Sequence, residues 1–177
     1  MSFKLEPDCV LLGILMNKPK HGYEVEAYLS SKMDQFWHLS MSQVYALLKR
    51  IEKTGLAVSS EQKHGNRPNK RVFSITETGR EKFFEWVYSP AKHLRDLRVE
   101  LLAKLFFIKE LKLTGGFSFI EKQVEVLENK LSLVERSKGR NQDEFQALLY
   151  SYKIGQIRSA LSWLKECEAY FYSDTLK

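Results

Sequence analysis

The sequence predicts a mainly α-helical protein carrying one small β-hairpin, and three observations lead there. Apolar residues recur at helical spacing through most of the chain. Strand composition is confined to two short segments, roughly Ala57 to Glu61 and Arg71 to Ile75. Start and stop signals for helices, such as Ser40 with Gln43, Thr76, Gly55 and Pro90, stand between the periodic stretches. With 177 residues, of which 44% are apolar and 28% charged, the chain has the size of one large domain or two small ones. A disordered or collagen-like chain is excluded by only 9 Gly and 4 Pro.

The first helix is predicted from Val10, Leu11, Ile14 and Leu15, ahead of Pro19. After the turn Lys18-Pro-Lys-His-Gly22, a shorter helix runs through Val25, Leu29 and Met33. The third begins at Ser40, which can cap it while Gln43 reaches back to the Ser40 amide. It ends near Thr54, where Gly55 supplies the stop. Val44, Leu47, Leu48 and Ile51 follow the i, i+3, i+4, i+7 pattern of a buried face. The two strand segments flank Gln62-Lys-His-Gly-Asn-Arg-Pro-Asn-Lys70, a turn-rich tip with cations and no acid. Thr76 then caps a helix through Phe83, Phe84 and Val87 that ends at Pro90. Helix, helix, capped helix, hairpin, helix is the order of a winged helix-turn-helix.

Pro90 opens the second half, which gives domains of residues 1–90 and 91–177. A helix is expected through Leu94, Leu97, Leu101, Leu105 and Ile108, broken at Thr114-Gly-Gly116. Ser118 and Glu121 are spaced as a second capping box. Ile120, Val124, Leu127, Leu131 and Val134 then alternate steps of four and three, as a helical seam does. After a polar turn at Gly139–Asp143, the last helix carries Ile154, Ile157, Leu161, Leu164 and Phe171 on one side, with Phe145, Leu149 and Tyr152 before them. These stripes are too long for one small helical layer to cover, which predicts a homodimer through the second half.

The net charge of +6 is concentrated. Residues 41–82 hold Lys49, Arg50, Lys53, Lys63, Arg67, Lys70, Arg71, Arg80 and Lys82 against only Glu52, Glu61, Glu77 and Glu81. The outer face of the third helix presents Ser42, Ala46, Lys49 and Lys53, flanked by Tyr45 and Arg50, with Ser40 and Gln43 at its start. Beside it the hairpin offers Lys63, His64, Arg67, Lys70 and Arg71. A helix of small, hydroxylic and cationic residues suits a major groove, and hairpin cations suit the phosphates alongside. Double-stranded DNA is therefore the expected partner, against the plainer reading of a solvated helix face and a soluble loop. The Tyr45 phenol either reaches a phosphate or packs half-buried.

Catalysis finds no support. His21, His38, His64 and His93 are scattered without a metal-binding spacing, and Thr114-Gly-Gly-Phe117 lacks the Lys-Ser/Thr of a phosphate loop. No cofactor is expected. The apolar run Val10–Met16 is too short to span a membrane, and Glu6 and Asp8 stand where an export signal would be basic. Cys9 and Cys167 form no CxxC pair, which fits a reduced, cytoplasmic protein. Trp37, Trp86 and Trp163 serve either as core and interface residues or as walls of a site for a small aromatic ligand.

Three segments resemble the PadR transcriptional regulators: Leu12-Gly-Ile-Leu-Met-Asn-Lys-Pro-Lys-His-Gly-Tyr-Glu-Val25, Ser42-Gln-Val-Tyr-Ala-Leu-Leu-Lys-Arg-Ile-Glu-Lys-Thr-Gly-Leu56 and Ile75-Thr-Glu-Thr-Gly79. The likeness covers residues 9–88, and the second half with Trp163-Leu-Lys-Glu166 resembles the longer subfamily, whose C-terminal domain is like that of virulence-gene activators. The resemblance implies a homodimeric repressor or activator with an N-terminal winged helix and a C-terminal dimerisation domain. It implies contact of Tyr45, Lys49 and the wing with a pseudo-palindromic operator, and release of the DNA by phenolic acids or other aromatic compounds, as in some members. Val72-Phe73 departs from the family's frequent tyrosine-rich pair. The alternative function is a winged-helix module that binds other proteins through the same surfaces.

Overall fold

The structure, a computed structural model, describes residues 6–64, 67–137 and 143–175, with the side chains of all these except 62–64, 67–70 and 172–175. In chain order its elements are α1 (Pro7–Leu15), β1 (Lys20–His21), α2 (Gly22–Lys32), α3 (Met41–Lys53), β2 (Ala57–His64), β3 (Arg67–Ile75), α4 (Glu77–Tyr88), α5 (Leu102–Glu110), α6 (Gly116–Ser137) and α7 (Glu144–Thr175). They form two compact units. One holds the chain up to Ser89 together with Leu102–Lys112, the other holds Pro90–Leu101 and everything from Leu113 onward.

Helix α1 is the centre of the first unit, buried from Cys9 to Leu15. Pro7 and Asp8 suit its first turn, the proline because no amide is needed there and the carboxylate because the N-terminus is the positive end. At Gly13 the backbone passes so close to Phe107 and Phe83 that an added Cβ would lie 2.7 Å from both rings. Those two rings meet edge to face at 5.5 Å. Phe107 belongs to α5, so this contact shows why Leu102–Lys112 returns to the first unit. A linear division at residue 90 assigns that stretch to the second half; packing against α1 assigns it to the first.

Helix α3 forms as its signals predict. The Ser40 hydroxyl accepts from the Gln43 amide at 3.4 Å, and the Gln43 side chain accepts from the Ser40 amide at 2.9 Å. Val44, Leu47, Leu48 and Ile51 are its buried residues. Gly55, at φ 74°, closes it: the Leu56 amide donates to Ile51 and the Gly55 amide to Glu52, the paired bonds of a Schellman turn. Thr76 caps α4 through the Gly79 amide at 3.1 Å.

The sheet is antiparallel in the order β1-β3-β2. Strand β1 was not expected, because two residues carry no alternation; it exists through pairing of Lys20 with Phe73 and His21 with Val72. The hairpin strands also run further than their composition suggests. Pairing continues from Ala57↔Ile75 out to His64↔Arg67, with an irregularity between Gln62 and His64, so cross-strand hydrogen bonds extend the ladder into the turn-rich stretch.

In the second unit α6 and α7 pack on each other through Phe119, Ile120, Leu127, Ile154, Ile157 and Leu164, all buried. The Gln123 side chain is buried too, its amide bonded to both the N–H (2.7 Å) and the C=O (3.1 Å) of Ala91. Two expectations fail here. The continuous helix over Leu94–Ile108 is instead a 3-10 turn (Leu94–Asp96), a wider π turn (Leu97–Leu101) and then α5. Its apolar residues serve two different cores, so one helical register cannot run through them. The capping box at Ser118 and Glu121 does not form either, since α6 already starts at Gly116 after Gly115 at φ 87°. At α7 the cap is Asp143, whose carboxylate accepts from the Gln146 amide at 2.8 Å. The rest of the polar turn at Gly139–Asp143 lies outside the described residues.

Candidate nucleic-acid interface

The side of α3 away from its buried stripe is open to solvent, with Ser42, Gln43, Tyr45, Ala46, Lys49, Arg50 and Lys53 all exposed. Ser40, also exposed, has its hydroxyl 3.0 Å from that of Ser42, while Gln43 is committed to the cap. Of the two alternatives for Tyr45, the structure shows the half-buried packing. Its ring packs over Gly22, where a Cβ would come within 2.6 Å of it, yet the residue stays 39% exposed.

The cations divide into two groups. Lys49 and Lys53 have no carboxylate partner among the described residues. Arg50 and Arg71 do have one. The Arg50 guanidinium lies 2.6 Å from Asp8 of α1, and the Arg71 guanidinium lies 2.7 Å from Glu52 of α3. Fork-shaped guanidinium suits such paired carboxylate contact. Sequence reasoning placed these arginines beside DNA with nothing to hold them; Asp8, 42 residues from Arg50, and Glu52, 19 from Arg71, were missed as their partners. No local spacing signals pairs so far apart. The side chains of Lys63, His64, Arg67 and Lys70 lie outside the described residues, although β2 and β3 carry their backbone.

The three tryptophans do not share a compact unit. Trp86 is a core residue of the first unit, flanked by Phe83 at 6.1 Å and Phe107 at 6.4 Å, with the buried Lys104 ammonium 5.2 Å from its ring centre. Its indole N–H has no hydrogen-bond partner among the described residues. Trp37 is half-buried in the same unit, and Trp163 is 37% exposed on α7 in the second. Among the described residues no group of His, Cys, Asp and Glu could hold a metal, and no helix is long and apolar enough to cross a membrane. Burial and Glu6 push the Cys9 thiol up, burial and Glu110 push the Tyr28 phenol up, and burial pulls the Lys20 ammonium down.

Residues 11–85 match the model of the transcriptional regulator PadR-like family, and residues 97–171 match that of the virulence activator alpha C-term. The chain thus carries, ahead of a segment like the virulence activator alpha C-term, a domain of the PadR-like family of transcriptional regulators. That is a family of regulators rather than of enzymes. This PadR-like chain is 24% identical to the negative transcriptional regulator PadR of Bacillus subtilis (strain 168) over 127 residues, 72% of this chain and 70% of that one. It is 25% identical to a probable transcriptional regulator of Mycobacterium tuberculosis over 89 residues, 50% of this chain and 47% of its relative, so it spans about half of that protein. The crystal structure of Bacillus subtilis PadR in complex with operator DNA shares the fold, with a TM-score of 0.50 at 19% identity over 93% of this chain and 98% of the other.

Proposed function

We propose that the chain is a cytoplasmic, homodimeric repressor that grips a pseudo-palindromic duplex operator through α3 and the hairpin. The observation that carries this is the acid-free exposed face of α3. Ser42 and Ala46 are small enough for close approach to base edges, and Lys49 and Lys53 bring charge unspent on any described carboxylate. The cap at Ser40 and the Schellman turn at Gly55 hold both ends of that helix, so the face is presented by a defined scaffold. Lys63, Arg67 and Lys70 of the hairpin follow the phosphates beside it, with Arg50 and Arg71 bracing the surface. Repression is supported by the Bacillus subtilis relative's name, and operator binding by the partner in the neighbouring crystal structure.

The second unit supports the homodimer. Phe145, Leu148 and Tyr152 are each more than three-fifths exposed along one end of α7, and Leu133 of α6 is as open. A second copy covering them gives the two-fold symmetry that a pseudo-palindrome matches.

Titrating binding of the flanking intergenic DNA against salt tests the function. If each subunit neutralises roughly four phosphates, log K against log salt falls with a slope of about −7 for the dimer. A flat salt dependence would instead assign the surface to a protein partner. A small aromatic effector, as the PadR resemblance implies, is tested by adding phenolic acids to the bound complex and following tryptophan fluorescence and DNA release together. A set in which no compound binds and weakens the complex removes the effector from the proposal.

A further inference from the structure

The recognition helix and the wing are joined by one polar cluster, and its central residue is an acid. Glu52 stands in the last turn of α3. Its two carboxylate oxygens lie 2.7 and 2.8 Å from Nη2 of Arg71 on β3. The Ser59 hydroxyl on β2 donates to Glu52 at 2.5 Å and accepts from Nε of Arg71 at 2.7 Å. Each of the three side chains thus touches the other two. Arg71 is anchored on its main chain as well: it pairs with Glu61 across the hairpin, and its carbonyl lies 3.2 Å from the His21 ring at β1. One side chain therefore ties α3, β2 and β3 together midway along the hairpin, and the sheet extends the tie to β1.

Charge alone gives Glu52 the wrong sign for a surface that meets phosphate. An unpaired carboxylate there would repel DNA, and even paired it cancels the charge of Arg71. What the geometry supplies instead is order: nine residues separate Glu61 from Arg71, and where they return the paired strands are braced against α3 by this cluster. Resting on the DNA-binding function proposed above, we infer that Glu52 is a positioning residue for operator binding. It holds Arg71 and Ser59, and with them the middle of the wing, at one distance from α3, so that the groove-facing helix and the phosphate-facing hairpin meet the duplex in register. Arg71 is then chiefly a brace, and the phosphate contacts of this surface come from Lys49, Lys53 and the tip.

The test uses the full chain with Glu52→Gln, Ser59→Ala, Arg71→Ala and the double variant Glu52→Gln/Arg71→Ala. Two measurements are made on each: affinity for the flanking duplex over several salt concentrations, and amide hydrogen exchange of β2 and β3 without DNA. Glutamine keeps the size and one acceptor but loses the charge-assisted pair. The expected result is a loss of about tenfold in affinity at every salt concentration with the slope unchanged, and faster exchange at Ser60–Gln62 and Lys70–Val72. Because the residues act as one unit, the double variant should bind no worse than the poorer single variant.

Tighter binding by Glu52→Gln, with a slope steeper by about 2 for the dimer, would overturn the inference. It would mean that Glu52 restrains an Arg71 whose task is a phosphate contact. Unchanged exchange and unchanged affinity would overturn it equally, since the cluster would then order nothing. Failure of the unaltered protein to bind any duplex would remove the DNA-binding function instead, while the exchange measurement still decides whether Glu52 orders the wing.

Discussion

In the first unit the central helices α1 and α3 find their apolar stripes covered. Helix α1 is buried along seven consecutive residues, α3 buries all four residues of its stripe, and Phe107 fills the space that Gly13 leaves open. The second unit is built differently. Its longest helix, α7, buries Ile154, Ile157 and Leu164 against α6 but leaves Phe145, Leu148, Leu149 and Tyr152 exposed. Two helices have too little surface to enclose each other's apolar sides, whereas five helices around a sheet do. A self-closed unit can present a fixed polar surface, such as the outer face of α3. A unit with an open apolar side is suited to association, and its remaining stability depends on what covers it.

The largest expected effect breaks the closed side of this comparison. Phe107→Ala removes a ring from the centre of the first unit and should cost about 3–5 kcal/mol of stability, read by chemical denaturation. A loss below 1 kcal/mol would show that α5 is not part of that core. Next comes the open side. Phe145→Glu together with Leu148→Glu should dissociate the protein in sedimentation at micromolar concentration while far-UV circular dichroism stays helical, because both side chains are already solvent-facing within one chain. An unchanged dimer would move the association surface elsewhere.

Smaller effects sharpen what the closed unit presents. Lys49→Ala should make the salt slope of DNA binding shallower by about 2 for a dimer, with no loss of stability, since the side chain is exposed and has no carboxylate partner among the described residues. An unchanged slope would take Lys49 out of the interface. Ser40→Ala removes the cap of α3 and should cost about 1 kcal/mol, seen as a lower Tm. If Tm holds while DNA binding falls, Ser40 acts on the duplex rather than on the helix.

The winged order was readable because its signals are local. A capping box spans three residues, a buried stripe repeats every three or four, and Gly55 marks a helix end by the one conformation it alone enters cheaply. Such periodicities located α3, both of its faces and the hairpin beside it. They also located a second capping box at Ser118 that does not exist, because a spacing of three residues recurs by chance and only the backbone decides where a helix starts.

What the sequence by itself determined was therefore the order of helices α1 to α4 and the hairpin, the concentration of positive charge in residues 41–82 and the open face that carries it. Tertiary structure alone decided the rest. Strand β1 exists because β3 offers it an edge, and α5 joins the first unit because Phe107 fits over Gly13. Arg50 and Arg71 are braced because folding brings Asp8 and Glu52 to them. Each of these depends on groups that meet only after the chain has paid the entropy of closing a loop between them, and no pattern within one or two helical turns records that meeting.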